Sequence, residues 1–349
     1  MKMKKDKEIK IWILVLSSFL VGSIFSTIIM LLLRPTNNSV VNKNTLKNNI
    51  ESSVYIETRT AGLKDSNGSG FIYKTDLNNA YIITNEHVIE GKEIVVMNNK
   101  KEETKATLLG KDPYLDLAIL KISRKYASKK VVIAKESPKV GEKVYVIGTP
   151  MSKNYLNSVT SGVLSGKNRL VKTSVDGNEA NWVMESLQYD APINPGNSGG
   201  ALLNSNGDVI GIVTMKLIQE DIEGMAFAIP IEDALKHVKD LEQGKDIKYP
   251  EIGISMADVT STATITTKGI SIPDVEEGVV ILDVKKDSSA ASAKLKKGDI
   301  IISINGNKTK DMAYFKHELY KYSEKDKIKI KYLRNNKEKE TTLTINKLK

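Results

Sequence analysis

The sequence Asp190-Ala191-Pro192-Ile193-Asn194-Pro195-Gly196-Asn197-Ser198-Gly199-Gly200 places one serine in a tight run of glycines. A turn of this kind exposes a nucleophilic hydroxyl, because glycine accepts backbone conformations that other residues avoid. A serine hydroxyl alone is a poor nucleophile, so the stretch predicts a histidine base and an orienting carboxylate elsewhere in the chain. The chain contains only 3 histidines, which makes this prediction a sharp one.

Two residues upstream of this serine suit the roles of base and carboxylate. His87 follows the apolar run 81–84, and the end of a strand holds a side chain rigidly beside a cleft. Asp116 stands directly before the apolar run 117–120, where burial of an unpaired charge is costly. The Nδ1 hydrogen of His87 would give this carboxylate a buried partner. Each residue alone has a simpler interpretation, because most strand-end histidines are structural and an aspartate can merely cap a turn.

The order of the three residues distinguishes two hydrolase folds. The pattern around Ser198 also describes the nucleophile elbow of α/β-hydrolases, but there the histidine follows the serine and a helix comes directly after it. Here the runs 201–203 and 209–213, separated by a turn containing Asn206-Gly207, predict a hairpin after the serine. The order His, Asp, Ser on a β-rich domain is that of the chymotrypsin class.

Length and composition predict two folded domains. The 349 residues suffice for about two domains, and 27% charged with 40% hydrophobic residues is typical of a folded protein. From Glu51 to Ile229 the chain contains short β-branched runs separated by turn residues, which predicts an all-β barrel or sandwich. These runs are 53–60, 70–74, 81–84, 94–97, 143–148 and 209–214.

A second unit of about 100 residues is expected after a helix that ends the first. That helix follows Pro230 and carries Leu235, Val238 and Leu241 on one face. Beyond the polar stretch 245–250 the pattern predicts a small mixed α/β module. Its expected strands lie near 279–285, 300–304 and 327–333, and its expected helices lie near 289–295 and 312–322.

Composition also excludes several kinds of site. Cysteine is absent, which rules out disulfides, thiolate metal sites and a cysteine nucleophile. No HExxH motif or paired histidine and carboxylate spacing occurs, so no catalytic metal and no cofactor are assigned. The net charge is +10, but the lysines are spread without a basic arm, so nucleic acid is not an expected partner. His237 and His317 lie among lysines and glutamates and are predicted to be solvated surface residues.

The N-terminal segment predicts a membrane anchor. Residues 11–33 are 23 consecutive uncharged, mostly apolar residues, which as a helix cover a bilayer core of about 30 Å. Lysines dominate residues 1–10, so this tail is expected in the cytoplasm and the domains outside it. A cleaved signal peptide is the alternative, but the run is long and Leu31-Leu32-Leu33-Arg34-Pro35 lacks the small residues of a cleavage site. Residues 34–50 show no periodicity and are expected to form a linker.

Four blocks of sequence together resemble the HtrA/Deg family of serine proteases. They are Thr84-Asn85-Glu86-His87-Val88, Asp116-Leu117-Ala118-Ile119-Leu120, Asn194-Pro195-Gly196-Asn197-Ser198-Gly199-Gly200 and Phe227-Ala228-Ile229-Pro230. The resemblance covers residues 51–349 and implies a mainly β fold. It implies a chymotrypsin-like double β-barrel as the serine protease domain over 51–244 and a small α/β PDZ domain over 250–349. With the N-terminal transmembrane helix, this organisation is similar to that of the membrane-anchored members.

The resemblance also implies the role of each site residue. Ser198 would be the nucleophile, His87 the general base and then the general acid, and Asp116 the carboxylate that stabilises the imidazolium. The backbone N–H groups of Gly196 and Ser198 would form the oxyanion hole, where glycine leaves the donated hydrogens unobstructed.

Two neighbouring positions bear on substrate binding and activation. Ile193 matches a family position that lines the S1 pocket, which implies small or medium apolar P1 side chains, with 219–225 as a second specificity loop. Asn197 stands where secreted relatives have an aspartate that pairs with a new N-terminus after zymogen cleavage. A neutral asparagine cannot form that ion pair, so ordering by a ligand or a neighbouring subunit is expected, with a constitutively active enzyme as the alternative.

The segment 61–68 is short and leaves little room for the long regulatory loop that some members of the family carry. The resemblance therefore implies no assembly beyond a trimer.

The second module carries a motif of its own. Ile252-Gly253-Ile254 resembles the carboxylate-binding loop of PDZ domains, where backbone N–H groups receive a peptide C-terminus and the next strand pairs with the peptide. The block 295–306 resembles the core of that family, whereas 260–272 looks like an insertion into its compact pattern.

The resemblance implies a bacterial, membrane-anchored serine endopeptidase that acts outside the cytoplasm. Its expected substrates are unfolded or misfolded polypeptides, and its PDZ domain would bind C-terminal peptides. The other expected partners are the membrane, through the N-terminal helix, and two further copies of the chain in a homotrimer. Two alternatives are a catalytically idle chaperone-like or PDZ scaffold and a site-specific signalling protease.

Overall fold

The computed structural model describes residues 12, 14, 16–27, 29, 41–127, 129–175, 181–215 and 224–348. The chain divides into two units, residues 1–42 and residues 43–349, and each is described by itself. Residues 16–27 of the first unit are helical. Within the described ranges, no helix is both long enough and apolar enough to cross a membrane. Residues 11, 13, 15, 28 and 30–33 of the predicted anchor lie outside the described residues, as does the whole predicted tail 1–10.

Helix α1 (Lys43–Ser52) begins the second unit. The segment 34–50, which its lack of periodicity predicts to be a linker, is therefore helical from residue 43 onward. A helix of this length is marginal on its own in water. A distant contact stabilises it, because the buried Asn49 donates from Nδ2 to the carbonyl oxygen of Gly207 at 2.7 Å. Residues 34–40 lie outside the described residues.

Seven antiparallel strands form the first sheet, in the order β5-β4-β1-β2-β3-β7-β6. They are β1 (Ser53–Thr60), β2 (Leu63–Thr75), β3 (Asn79–Thr84), β4 (Glu93–Met97), β5 (Glu103–Lys105), β6 (Thr107–Asp112) and β7 (Leu117–Ser123). Alternate side chains of a strand point to the same face, so one face of this sheet builds a core. Ile56, Ile82 and Leu120 are fully buried in it.

Six further strands form a closed barrel, in the order β10-β13-β12-β11-β8-β9. They are β8 (Lys143–Gly148), β9 (Ser158–Thr173), β10 (Trp182–Tyr189), β11 (Ala201–Leu203), β12 (Val209–Thr214) and β13 (Ala226–Pro230). Each of the six β-branched runs singled out in the sequence lies within a strand. Two barrels are expected, whereas pairing among the described residues closes only this one and leaves β5 and β6 as the edges of the first sheet.

The predicted hairpin between β11 and β12 is present, but its turn differs in detail. The turn covers residues 204–208, and the Asn204 side chain organises it by accepting the N–H groups of Asn206 and Asp208 at 3.0 and 2.9 Å. Gly207 alone has a positive φ there, of 85°. An Asx-type turn of this kind therefore replaces the two-residue turn that Asn206-Gly207 predicts.

Helix α2 (Ile231–Glu242) follows the barrel, as expected. Its buried residues are Ile231, Ala234, Val238 and Leu241, a stripe with the spacing of one helix face. Leu235 is predicted to lie on this face and is 41% exposed instead, so that assignment is wrong. Ala234 is buried instead, because it lies one helical turn before Val238 and therefore on the same face of the helix.

The remaining strands form a third sheet, which we call the β14–β19 module. Its strands are β14 (Ile254–Asp258), β15 (Val279–Val284), β16 (Ile300–Ile304), β17 (Asn307–Lys308), β18 (Lys327–Arg334) and β19 (Lys337–Thr344). The order is β14-β15-β16-β18-β19, and β17 pairs with β16. Helices α3 (Thr262–Thr267), α4 (Ser289–Ser292) and α5 (Met312–Leu319) complete the module. Phe315 of α5 is buried against Ile281 and Ile330 of the sheet.

The barrel and the β14–β19 module contact each other through four aromatic residues. Tyr114 and Trp182 come from the first part of the unit, Tyr249 from the segment before β14, and Tyr320 from the end of α5. Their ring centroids lie 4.5 to 5.3 Å apart, with Tyr249 stacked on Tyr320. We call this group the interdomain aromatic cluster. Aromatic packing of this kind stabilises a contact beyond the burial of its surface, and polar contacts accompany it.

His317 and His237, predicted to be solvated, lie at this contact instead. His317 is 7% exposed, and its Nδ1 lies 3.1 Å from the carbonyl oxygen of Val183 on β10. His237 is partly buried, and its Nδ1 lies 3.0 Å from Oδ2 of Asp112. The local sequence predicts a polar helix surface at both positions. The structure differs because another part of the chain covers each helix.

The burial of His317 makes the folded state sensitive to acid. Burial, reinforced by the positive charge of Lys321, lowers the pKa of His317 below its ordinary value of 6.5, although Glu318 and Asp233 oppose the shift. The neutral imidazole is therefore the form that the fold favours. This contribution to stability is complete above about pH 6.5 and is lost as the pH falls through the lowered pKa.

We expect the melting temperature of the wild-type protein to fall more steeply than that of His317→Gln between about pH 7.5 and about pH 5.5. Glutamine retains a polar side chain and removes the titrating group. Differential scanning calorimetry of both proteins across this range measures the difference. Parallel curves for the two proteins would contradict the expectation.

Candidate functional site

His87 and Asp116 contact each other at the junction of the first sheet and the closed barrel. His87 begins a short 3-10 turn (His87–Ile89) after β3, and Asp116 directly precedes β7. Nδ1 of His87 lies 2.9 Å from both carboxylate oxygens of Asp116, and the backbone N–H of His87 donates to Oδ1 at 3.1 Å. Strands β3 and β7 pair side by side, so their ends bring the two residues together. The structure thus joins the predicted base to the predicted carboxylate.

Asp116 is fully buried, and two further residues hold it in place. Thr214 donates from Oγ1 to Oδ2 of Asp116 at 3.0 Å, and Asn85 donates from Nδ2 to the Asp116 carbonyl oxygen at 2.9 Å. A buried carboxylate needs such donors, since burial without them is costly. The sequence interpretation did not include Thr214. Its only signal is a hydroxyl residue at the end of the apolar strand β12.

Ser198 lies in the loop between β10 and β11 and is 4% exposed. Its Oγ accepts a hydrogen bond from the backbone N–H of Met215 at 3.2 Å. Among the described residues, Ser198 and His87 share no hydrogen bond. Hydrogen bonds between a nucleophile and its base are often long or unformed without a substrate, so this geometry is compatible with a resting site.

The backbone around Gly196 has a conformation that favours glycine. Its φ is 101°, and a Cβ at this position would overlap the carbonyl oxygen of Thr149. Over the described part of the chain, the N–H groups of Gly196 and Ser198 donate to no protein acceptor. Two uncommitted N–H groups on either side of one residue are the donors that an oxyanion hole requires.

Ser69 holds the glycine loop in shape, and the sequence interpretation missed it. Its N–H donates to the Ser198 carbonyl oxygen at 2.7 Å, and its Oγ donates to the Gly196 carbonyl oxygen at 2.7 Å. The same Oγ accepts from the Thr149 N–H at 2.8 Å. The signal in the sequence is a small hydroxyl residue between two glycines, Gly68-Ser69-Gly70. One buried side chain therefore connects the first sheet to the loop that carries Ser198.

The two predicted substrate-binding residues lie beside this loop. Ile193 is partly buried and packs against the barrel core, whereas Asn197 is buried at 3% exposure. Gly148 faces Asn197 so closely that a Cβ there would lie 2.6 Å from Asn197 Oδ1. The asparagine side chain is therefore held against β8. Residues 219–223 of the predicted specificity loop 219–225 lie outside the described residues.

Ile252-Gly253-Ile254 forms the entry to β14, at the edge of the third sheet. Gly253 has a φ of 78°, and a Cβ on it would overlap the Ser288 side chain. The carbonyl oxygens of Ile252 and Gly253 accept from the N–H groups of Ala290 and Lys285, both at 2.9 Å. Within the described residues β14 pairs with β15 alone, so its other edge is free to pair with an added strand.

Comparisons with known proteins agree with this architecture. Residues 68–212 match the trypsin-like peptidase domain family, and residues 250–345 match the PDZ domain family. A curated relative from Staphylococcus aureus, a serine protease HtrA-like protein, is 35% identical over 323 residues, which cover 90% of this chain and 41% of the relative. A Staphylococcus epidermidis relative with the same description is 35% identical over 86% of this chain and 53% of its own length. The chain thus spans about half the length of these relatives or less.

Solved structures give the same result. The serine endoprotease from Yersinia pestis is 28% identical with a TM-score of 0.63, and the match covers 90% of this chain and 99% of that one. The HtrA-type protease AlgW with a tripeptide is 27% identical with a TM-score of 0.62, covering 88% of this chain and 96% of that one. These findings confirm the mainly β chymotrypsin-like fold followed by a PDZ domain. The resemblance that the four motifs carry is thereby confirmed: the chain contains a trypsin-like peptidase domain followed by one PDZ domain and is similar to HtrA-like serine proteases.

Proposed function

We propose that the chain is a serine endopeptidase in which Ser198, His87 and Asp116 form the catalytic triad. The observation that carries the proposal is the His87–Asp116 contact, in which Nδ1 of the histidine meets both oxygens of a fully buried carboxylate at 2.9 Å. A carboxylate in this position fixes the imidazole tautomer and leaves Nε2 free to accept a proton. The similarity to HtrA-like serine proteases supports the same function.

The proposed reaction is acyl transfer through Ser198. His87 takes the hydroxyl proton as Ser198 Oγ attacks the substrate carbonyl, and later gives that proton to the leaving amine. Asp116 stabilises the imidazolium that forms between these steps. The N–H groups of Gly196 and Ser198 receive the negative charge on the substrate oxygen. Before attack, the Ser198 hydroxyl has to exchange its contact with the Met215 N–H for one with His87 Nε2.

We propose unfolded or misfolded polypeptides as substrates and C-terminal peptides as ligands of the PDZ domain. Ile193 beside the nucleophile loop supports apolar P1 side chains. The free edge of β14, preceded by Ile252-Gly253-Ile254, supports an extended peptide that adds to the sheet with its carboxylate at the loop.

The proposal includes an extracytoplasmic location, with the chain anchored in the cell membrane of a bacterium by residues 11–33. The apolar length of this segment and the lysines before it support the anchor and its orientation. A homotrimer is proposed from the family resemblance, and the short connection between β1 and β2, which is only Ala61-Gly62, supports assembly no larger than this.

Cleavage of an unfolded protein tests the triad. We expect the fragment 35–349 to hydrolyse casein and Ser198→Ala to lose at least about 1,000-fold of that rate, because the nucleophile is removed. Ser165→Ala is the matched control, since Ser165 is an exposed serine of β9 that, among the described residues, has no hydrogen bond to any member of the proposed triad. Casein hydrolysis, followed by released peptide, measures all three proteins. Equal rates for Ser198→Ala and the wild type would exclude the proposed nucleophile, and no hydrolysis by any protein would favour the idle scaffold.

Gly196→Ala tests the oxyanion hole. The added Cβ overlaps Thr149 and requires a strained positive φ, so the loop must move and its N–H group with it. We expect kcat to fall by at least about 100-fold, the usual effect of losing one oxyanion donor. Gly62→Ala is the control, because it has a φ of 81° but no atom within 4 Å of the added Cβ. A similar small loss in both variants would contradict the assigned role of Gly196.

Peptide binding tests the PDZ loop. We expect a fluorescent peptide with an apolar C-terminus to bind wild-type protein and to lose at least about tenfold in affinity for Gly253→Ala, whose Cβ would displace the loop from Ser288. Gly306→Ala is the matched control, since its φ is 87° and the space around it is open. Fluorescence anisotropy measures the affinities. Equal binding of the C-terminally amidated peptide would contradict carboxylate recognition.

A further inference from the structure

We propose that Tyr249, in the segment that connects the barrel to the PDZ domain, is a positioning residue for Asp116 and acts through the buried carboxylate of Asp112. This inference rests on the proposed function, since it concerns the carboxylate of the proposed triad. It assigns to the connecting segment a part in aligning the catalytic site, in addition to its part in joining two domains.

The first step of the connection is a short hydrogen bond. The Tyr249 hydroxyl donates to Oδ2 of Asp112 at 2.6 Å. Asp112 is fully buried, so its negative charge must be stabilised by the few groups that donate hydrogen bonds to it. His237 Nδ1 lies 3.0 Å from the same oxygen but is not aligned for a hydrogen bond. The tyrosine hydroxyl is therefore the donor that fixes this side of the carboxylate.

The other oxygen of Asp112 organises the loop that leads to Asp116. Oδ1 accepts the backbone N–H groups of Tyr114 and Leu115 at 3.0 and 3.4 Å. Asp112 ends β6 and pairs with Leu117, the first residue of β7. The four residues between these two positions form a tight connection, and their shape depends on the carboxylate at its base.

Asp116 itself has a conformation that the surroundings must impose. Its φ is 51°, a left-handed value that costs a residue with a side chain about 1 kcal/mol or more. Such a conformation persists only where neighbouring contacts hold it. Thr214 and Asn85 hold the far side of Asp116, and the Asp112 turn holds the chain that enters it. A looser turn at Asp112 would therefore change the direction in which the Asp116 carboxylate points.

The PDZ domain reinforces the same loop through aromatic packing. The Tyr114 ring meets Tyr249 edge-on at 4.8 Å and Tyr320 at 5.2 Å. Tyr249 and Tyr320 stack at 4.5 Å. Tyr114 lies two residues before Asp116, so the loop is fixed by a polar contact at its base and by ring contacts at its tip. The connecting segment supplies one member of each contact, namely Tyr249.

The charge state of Tyr249 suits a permanent donor. Burial, with a further contribution from the Asp112 carboxylate, raises the pKa of Tyr249 far above its ordinary range. The hydroxyl therefore stays protonated and continues to donate throughout the pH range in which a protease works. Replacing the tyrosine by phenylalanine removes this donor and leaves the ring, so it separates the polar contact from the aromatic packing.

The test compares Tyr249→Phe with Tyr73→Phe in the full-length chain. Tyr73 is a matched control, because its hydroxyl also donates to a carboxylate oxygen, that of Glu242 at 2.7 Å, and not to Asp112. A fluorophosphonate probe counts the reactive serines in each protein, so that kcat is expressed per titrated site. We expect Tyr249→Phe to lower kcat per site by about tenfold with KM within about twofold, since a small misplacement of a catalytic group is costly. Tyr73→Phe should leave both constants unchanged.

Hydrogen–deuterium exchange of the amides of residues 113–117 gives a readout that needs no activity. We expect faster exchange there in Tyr249→Phe and wild-type exchange in Tyr73→Phe. Unchanged kcat per site together with unchanged exchange would overturn the inference. A lower count of titrated sites with normal kcat per site would also overturn it, because that result indicates misfolding alone. If no protein cleaves casein, the proposed function fails, and the exchange data still decide whether Tyr249 positions the loop.

A double variant tests the route through Asp112. If Tyr249 acts through this carboxylate, Tyr249→Phe in the background of Asp112→Asn should lower kcat per site no further than Asp112→Asn alone. Additive losses would show a different route and overturn the assignment to Asp112. Should Asp112→Asn not fold, the single-variant kinetics and exchange data remain sufficient.

Discussion

The buried carboxylate of Asp116 is the constraint on which the site depends. With no exposed surface, its charge must be balanced by donors, and it receives them from the backbone and ring of His87 and from Thr214. These donors come from the end of β3 and from β12, that is, from the first sheet and from the barrel. The two sheets therefore cannot shift against each other without exposing or unpairing this charge. The same requirement that stabilises the packing of the sheets also orients the imidazole.

A second link between the sheets shapes the loop that carries Ser198. Ser69 of β2 bonds to the carbonyl oxygens of Ser198 and Gly196, and it receives the Thr149 N–H. The N–H groups of Gly196 and Ser198 lie opposite the carbonyl groups of Pro195 and Asn197 across their trans peptide bonds, and these carbonyls accept the N–H groups of Met151 and Gly200. Among the described residues, the N–H groups of Gly196 and Ser198 donate to no protein acceptor, which leaves them available for the oxyanion role that we propose. The loop approaches β2 so closely that a Cβ on Gly199 would overlap the Ser69 carbonyl oxygen, which explains why position 199 is a glycine.

Local patterns in the sequence predict the parts of the structure that depend on local chemistry. The β-branched runs are strands, the order of His87, Asp116 and Ser198 identifies the protease fold, and the glycines mark the tight loop. Several failures are caused by contact between distant segments. His317 looks like a surface residue until β10 covers it, helix α1 looks like a linker until it packs near Gly207, and nothing beside Tyr249 in the sequence indicates Asp112. Hydrophobic periodicity reports the face of an element, but not which other element covers it.

The interdomain aromatic cluster places the PDZ domain against the two segments that lead to Asp116 and Ser198. Tyr114 of the interdomain aromatic cluster lies two residues before Asp116, and Trp182 of the same cluster begins β10, the strand that leads into the loop carrying Ser198. Close-packed rings transmit a displacement because they leave no free volume to absorb it. A shift of the PDZ domain would therefore act on the segments that carry both groups, on Asp116 two residues from Tyr114 and on Ser198 at the far end of β10. The free edge of β14 belongs to the PDZ domain. A peptide added at that edge, as we propose, would therefore bind to the domain that contacts both of these segments.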